Sequence, residues 1–167
     1  MLETIITSKT RLRLLIKFFL NNNNNGYLNG LANEFGESTN SVRKELNKLF
    51  EAGYLKKKSK NNKIYYSANN KHILFSPLQN IIKKHLGIET IIENILDKIG
   101  PSVSIFLIGD YVLGLDSGHI EIIIVGEKID KNFVEELCKK LEHLIQRKVS
   151  IEFSPNEPVV QDSIQLI

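Results

Sequence analysis

Leu31-Ala32-Asn33-Glu34-Phe35-Gly36-Glu37-Ser38-Thr39-Asn40-Ser41-Val42-Arg43-Lys44-Glu45-Leu46-Asn47-Lys48-Leu49-Phe50-Glu51-Ala52-Gly53-Tyr54-Leu55 decides the fold of the amino-terminal half. Asn29 caps a short helix whose apolar residues are Leu31, Ala32 and Phe35, and Gly36 ends it. Ser38 opens a second helix, with Val42, Leu46, Leu49 and Phe50 at i, i+4, i+7 and i+8 on one stripe. At about 100° per residue, Asn40, Lys44, Asn47 and Lys48 face the other way, with Arg43 on the flank. Gly53 closes this helix. Upstream, Ser8 caps a helix running to Leu20 with Leu12, Leu15, Ile16 and Phe19 on one face. Leu14 and Phe18 widen its stripe, so it is either deeply buried or shared with a second subunit. Downstream, Tyr54–Lys58 and Lys63–Ser67 read as strands around the turn Ser59-Lys60-Asn61-Asn62. Asn21–Asn25 is a polar run expected to form a flexible loop.

Helix, short helix, tight turn, amphipathic helix and basic hairpin make a winged helix-turn-helix. The polar helix face suits DNA, because Arg and Lys match guanine edges or phosphates and Asn matches adenine edges. Residues 8 to about 70 resemble the ArsR-type bacterial regulators. Those proteins carry L-A-x-E-(L/F)-G-x-S-x-x-(S/T)-V-x-x-x-L-x-x-L-x-x-A-G-(Y/L)-(L/V), matched here from Leu31 to Leu55. The resemblance implies that the Ser38–Ala52 helix enters the major groove while the wing touches the backbone or minor groove. The candidate DNA contacts are Ser38, Thr39, Asn40, Ser41, Arg43, Lys44 and Asn47 on the helix, with Lys60, Asn61 and Lys63 on the wing. Metal-sensing members use Cys and His clusters. Here the single Cys138 lies outside the domain and His72 and His85 stand alone, which argues against a metal sensor.

Charge follows the same division. Residues 1–86 hold 15 Lys and Arg against 5 acidic residues, hence 15 − 5 = +10; residues 87–167 hold 7 against 14, hence 7 − 14 = −7. A basic half that meets a polyanion accounts for this asymmetry better than the net +3 does. The chain is 167 residues long, 42% apolar and 25% charged, values that exclude collagen, a disulfide scaffold and wholesale disorder. No run reaches the roughly 18 apolar residues of a membrane span, and the first residues lack a signal peptide's layout. One cysteine cannot form an internal disulfide, so a cytoplasmic location without membrane association is expected.

Between the halves, Ser76-Pro77 reads as a helix start. Leu78, Ile81, Ile82 and Leu86 form its stripe, Gly87 interrupts, and Ile88, Ile91, Ile92, Ile95, Leu96 and Ile99 form a second stripe ended by Gly100-Pro101. These helices bury little against a winged helix alone, and pairing with a second subunit would cover them. The expected organisation is a winged helix over 1–75, a helical linker over 76–100 and a third region over 101–167.

In that third region, Val103–Ile108 and His119–Val125 read as buried strands. A helix follows between Asp130 and Gln146, and Val149, Ile151 and Phe153 alternate as another strand. The expected class is α+β with a small mixed sheet. The connection from Ile108 to Ile122 resembles the signature of the minimal nucleotidyltransferases of the polymerase-beta superfamily: G-S-x-A-x-G, a short loop, then S-D-(I/V)-D-(I/L). Gly109 and Gly114 match the two glycines, and Gly118-His119-Ile120-Glu121-Ile122 lies over the second block. In that superfamily the Gly-Ser pair cradles nucleotide phosphates, and two Asp at i and i+2 share divalent metal ions. Here Asp110 replaces the Ser, His119 replaces the first Asp and Glu121 the second, with Glu152 a candidate third acid. The site (Gly109, Asp110, His119, Glu121, Glu152) is therefore expected to be vestigial, without catalytic residues, cofactor or metal. A His119/Glu121/Glu152 metal site is the alternative. Bacterial proteins joining an ArsR-type domain to such a fold resemble the whole chain. The expectation is a homodimeric DNA-binding regulator that is no enzyme and responds to an unspecified small-molecule or protein effector. Its rivals are an active nucleotidyltransferase and an antitoxin-like interaction module.

Overall fold

The computed structural model describes residues 2–127, 129–159 and 162–167. The chain divides into two compact units, residues 1–82 and 83–167. The division falls inside one helix, α4 (Phe75–Leu86).

The first unit is a winged helix. Its elements run α1 (Lys9–Leu15), β1 (Asn25–Tyr27), α2 (Leu28–Phe35), α3 (Thr39–Glu51), β2 (Leu55–Lys60) and β3 (Lys63–Ala68), then the first part of α4. Ser8 caps α1 by accepting from the Arg11 amide, and Ser38 caps α3 by accepting from the Ser41 amide. After Leu15 the first helix continues as a π turn over Ile16–Leu20. Leu12, Leu14, Leu15, Ile16, Phe18, Phe19 and Leu20 are all buried within the chain. The over-wide stripe is thus accounted for by deep burial, the first of its two readings. Each such side chain contributes about 1.5–3 kcal/mol.

Three ion pairs dock α1 and the π turn that continues it on their neighbours. Arg11 Nε meets Glu45 Oε2 at 2.7 Å, Arg13 Nη1 meets Glu37 Oε1 at 2.5 Å, and Lys17 Nζ meets Glu34 Oε1 at 2.8 Å. The Thr10 hydroxyl also donates to Glu37, and the Ser8 hydroxyl donates to Glu45. Burial pushes the Glu45 carboxyl up, but the Arg11 guanidinium and Ser8 hydroxyl outweigh it and hold it below the usual range. These pairs have a consequence for charge. They use three of the 15 basic and three of the 5 acidic residues before Gly87, so 12 basic and 2 acidic residues remain for the surface.

The sheet order is β1-β3-β2, all antiparallel. The flexible-loop reading of the Asn run is corrected at its end, where Asn25 pairs with Ser67 and Tyr27 with Tyr65. That strand runs straight into α2, so Tyr27 rather than Asn29 occupies the cap position, without a side-chain cap. The hairpin turn is Asn61-Asn62 alone, both left-handed (φ 48° and 56°), the two-residue turn whose twist suits a hairpin. Ser59 and Lys60 therefore belong to β2, not to the tip. Helix α4 starts at Phe75, which puts Ser76 and Pro77 inside its first turn rather than at the cap.

The second unit runs from the end of α4 through α5 (Ile88–Ile99), β4 (Ser104–Ile108), β5 (His119–Val125), α6 (Lys131–Ile145), β6 (Lys148–Ser154) and β7 (Ile164–Gln165). The sheet is mixed, in order β6-β5-β4-β7, with β5 and β6 parallel and the other pairs antiparallel. Its core takes Ile105, Leu107, Ile120, Ile122 and Ile124 from the sheet, Val134, Cys138 and Leu141 from α6, and Ile88, Ile91 and Ile95 from α5. The second stripe is thus buried within the second unit. Cys138 is core too: burial pushes its thiol up to about 11, with Glu142 adding to the effect. No helix among the described residues is long and apolar enough to cross a membrane.

Candidate functional site

Helix α3 and the wing converge on a cleft of about 510 Å³. Arg43 and Asn47 enter it from α3, Asn29 from the start of α2, and Lys57, Asn62 and Lys63 from the hairpin. The apolar stripe of α3 dictates this, because burying Val42, Leu46 and Leu49 turns Arg43 and Lys44 to solvent. Phe50, assigned to that stripe, is 37% exposed. It is covered from outside by the Lys57 ammonium, 3.8 Å above its ring. Lys63 is held likewise, 4.2 Å over Tyr27. Two cations at the cleft are therefore positioned rather than free-swinging.

The other residues singled out on sequence lie around this cleft. Ser38 and Ser41 share a hydrogen bond of 3.0 Å at the start of α3, so both hydroxyls serve the cap. Thr39, Asn40 and Lys44 are exposed on the same helix but do not line the cleft. Asn61 is in the turn, and Lys60, opposite Lys63 in the hairpin register, lines a different cleft on the sheet's outer face. Lys57, Asn62 and Asn29 were missed. Lys57 could have been found from the alternation of β2, which puts it on the side of the buried Leu55.

In the second unit, Gly109 follows β4 at φ +70°, and an added Cβ would run into Glu121 Oε1. Glu121 therefore lies directly over the glycine. Gly114 is also left-handed, at φ +76°. Asp110 is exposed in the single turn Gly109–Tyr111. His119 and Glu121 share one face of β5, and His119 Nε2 bonds Ser150 Oγ at 2.6 Å. Glu152 lies beside Ile123, one step further along the parallel register. Among the described residues no three His, Cys, Asp or Glu side chains gather to hold a metal, so the alternative His/Glu/Glu centre is not assembled.

What does gather there is a network that no local pattern announces. Arg147 donates to Asp116 Oδ2 at 2.7 Å, to Asp116 Oδ1 and Tyr111 Oη at 3.0 Å each, and to the Ile145 carbonyl at 3.3 Å. The fully buried Tyr111 donates its hydroxyl to Asp116. Burial would raise the Asp116 carboxyl, but Arg147 and Tyr111 bond its charged form and hold it below the usual range. Burial and the Asp116 carboxylate push the Tyr111 phenol up. The loop from Gly109 to Gly118 is thus clamped to Arg147, two residues beyond the end of α6.

No protein-family model matches the sequence, and no curated protein matches it either. Two similar solved structures are Sso10a-2, a DNA-binding protein from Sulfolobus solfataricus, and a double mutant of Lactococcus lactis ZitR in its apo form. The first is 17% identical, with 53% of this chain and 90% of that chain covered at a TM-score of 0.36. The second is 17% identical, with 87% and 89% covered at a TM-score of 0.38. At such low likeness neither bears on what this chain binds.

Proposed function

We propose that this protein is a cytoplasmic, ArsR-like transcriptional regulator that binds double-stranded DNA through α3 and the wing. One observation carries the reading: a cleft shared by Arg43, Asn47, Asn62 and Lys63, in a unit whose acidic residues are mostly consumed by α1. Helix α3 offers amide and guanidinium groups for base edges, and the hairpin supplies phosphate contacts. Binding should fall steeply as salt rises, because each phosphate contact releases counterions. Arg43→Ala or Asn47→Ala should cost roughly 1–3 kcal/mol on the cognate site, whereas Lys63→Ala should weaken all sequences about equally. Anisotropy titrations with genomic fragments at two salt concentrations provide the test. Salt-independent affinity, or none, would exclude this reading.

One α3 reads one half-site, so a two-fold dimer on a palindrome is part of the proposal. Light scattering at micromolar concentration should give about twice the 19.1 kDa of the chain. A mass of one chain would remove this element.

For the second unit we infer a nucleotidyltransferase-like domain without the reaction. The left-handed Gly109 and Gly114 between two antiparallel strands support the likeness. Asp110 at the phosphate position, His119 in place of a carboxylate and Glu121 packed over Gly109 support the loss of function. Two-metal transfer needs carboxylates to hold the ions that offset the triphosphate. Calorimetry with ATP, GTP, CTP and UTP plus magnesium should register no binding. Tight binding or labelled-nucleotide transfer would restore the enzyme reading. The domain's role in the proposal is to sense an effector or to mediate assembly.

A further inference from the structure

The wing sheet has a second face, away from α3. Alternation on β2 sends Lys56, Lys58 and Lys60 to that side, and the register places Tyr65 opposite Lys58 and Ser67 opposite Lys56. Asn25 of β1 joins them across from Ser67. Of these, Lys58, Lys60, Ser67 and Asn25, together with Asn23, line a cleft of about 460 Å³ around the half-exposed Tyr65.

The lysines of the hairpin are not alike. Lys57 and Lys63 lie over aromatic rings, and the Lys56 ammonium donates to Asn70 Oδ1 at 3.2 Å. Among the described residues Lys58 and Lys60 make no ion pair or ring contact, and both line this cleft. Two residues apart on one strand, they stand roughly 6.6 Å apart, a comb of charge beside an aromatic side chain and two amides. Lysines on an edge strand discourage sheet-to-sheet pairing, which explains the charge. It does not explain the tyrosine and asparagines set into a cleft beside them.

We propose that this outer face binds single-stranded nucleic acid, with a base stacked on Tyr65, phosphates on Lys58 and Lys60, and Asn23 or Asn25 at the base edge. A duplex turns its bases inward and offers a tyrosine on a flat sheet nothing to stack on. A single strand exposes both base faces and backbone, and is held by this combination of groups. The groups it uses do not line the α3 cleft, although the Tyr65 ring meets, at 5.5 Å, that of Tyr27, which does.

The test uses the full chain, a labelled oligo-dT of about 15 nucleotides, a hairpin duplex and AMP. The oligonucleotide should bind and quench tyrosine fluorescence. Tyr65→Ala should weaken that binding by about five- to a hundredfold, the range of losing one stacked base, and far more than it weakens duplex binding. Tyr65→Phe should retain binding. Lys58→Ala, at an exposed side chain outside the core, should weaken the oligonucleotide several-fold and reduce its salt dependence. The proposal is overturned if the oligonucleotide fails to bind at low salt, or if Tyr65→Ala and Lys58→Ala bind it as tightly as the parent. Parallel loss of duplex and oligonucleotide in both variants would also overturn it, as would AMP binding as tightly as the strand.

Discussion

Arg147→Met should destabilise the second unit by roughly 3 kcal/mol, which urea denaturation of the full chain would show as a lower midpoint at unchanged slope. Methionine preserves much of the side chain's bulk and removes its charge and all its donors. The Asp116 carboxylate, whose side chain is only 28% exposed, would then be left with Tyr111 as its remaining donor. The Ile145 carbonyl would lose its 3.3 Å bond as well. Breaking one partner of a buried pair costs about 3–5 kcal/mol, and partial exposure of Asp116 places this pair at the lower end. The pH dependence has a definite sign. A carboxyl whose folded pKa is depressed stabilises the fold above its unfolded value, near 3.9 for Asp, and that stability is lost as pH falls through the folded value. The parent should therefore lose stability in acid below the ordinary carboxylate range, and Asp116→Asn should flatten that part of the profile. Unaltered acid sensitivity in Asp116→Asn would mean that the clamp contributes nothing to folding.

This clamp marks where local sequence stops informing. The partners stand 31 residues apart, one in a loop and one after a helix, and nothing in the period of either segment links them. Elements with their own punctuation were legible. Ser38 and Gly36 bracket the turn before α3, Asp130 caps α6, and the apolar runs of β4 and β5 stand where they were read. The short strands were not. Asn25–Tyr27 is a strand only because β3 offers it a ladder, and Ile164–Gln165 only because β4 does. Propensity is silent about such tertiary pairing. Glu45 could have been found, since it lies between Val42 and Leu46 on the stripe side of α3, where a carboxylate needs a cation. For the candidate interface, helical period identified Arg43 and Asn47, but the cleft also needs the hairpin's faces. Those depend on a turn of two residues rather than four.

Gly87→Ala should cost the second unit about 2–4 kcal/mol, the sum of two separable penalties. Gly87 joins α4 to α5 at φ +80°, ψ 5°, a left-handed conformation that costs an L side chain about 1 kcal/mol. Its Cα also faces α6 so closely that an added Cβ would stand 2.6 Å from both Cβ and Cγ2 of Ile145. Ile145 is the last residue of α6 and is only 9% exposed, so its branched carbons cannot swing aside as a flexible tip would. Relief requires the α4–α5 turn or the end of α6 to shift, an overpacking cost of about 1–3 kcal/mol. Gly118 provides the control within the same unit: its φ is +81°, and no atom stands within 4 Å of an added Cβ. Gly118→Ala should therefore show the backbone penalty alone, about 1 kcal/mol. The steric part should also couple to Ile145. In a double-mutant cycle, Gly87→Ala should cost less in an Ile145→Ala background than in the parent, because the carbon it strikes at Cγ2 is gone. Equal losses for Gly87→Ala and Gly118→Ala, with no coupling to Ile145, would show that α6 does not pack against this turn. A larger loss at Gly87 that shrinks when Ile145 is truncated assigns the difference to one contact, the hydrogen of a glycine against a β-branched side chain.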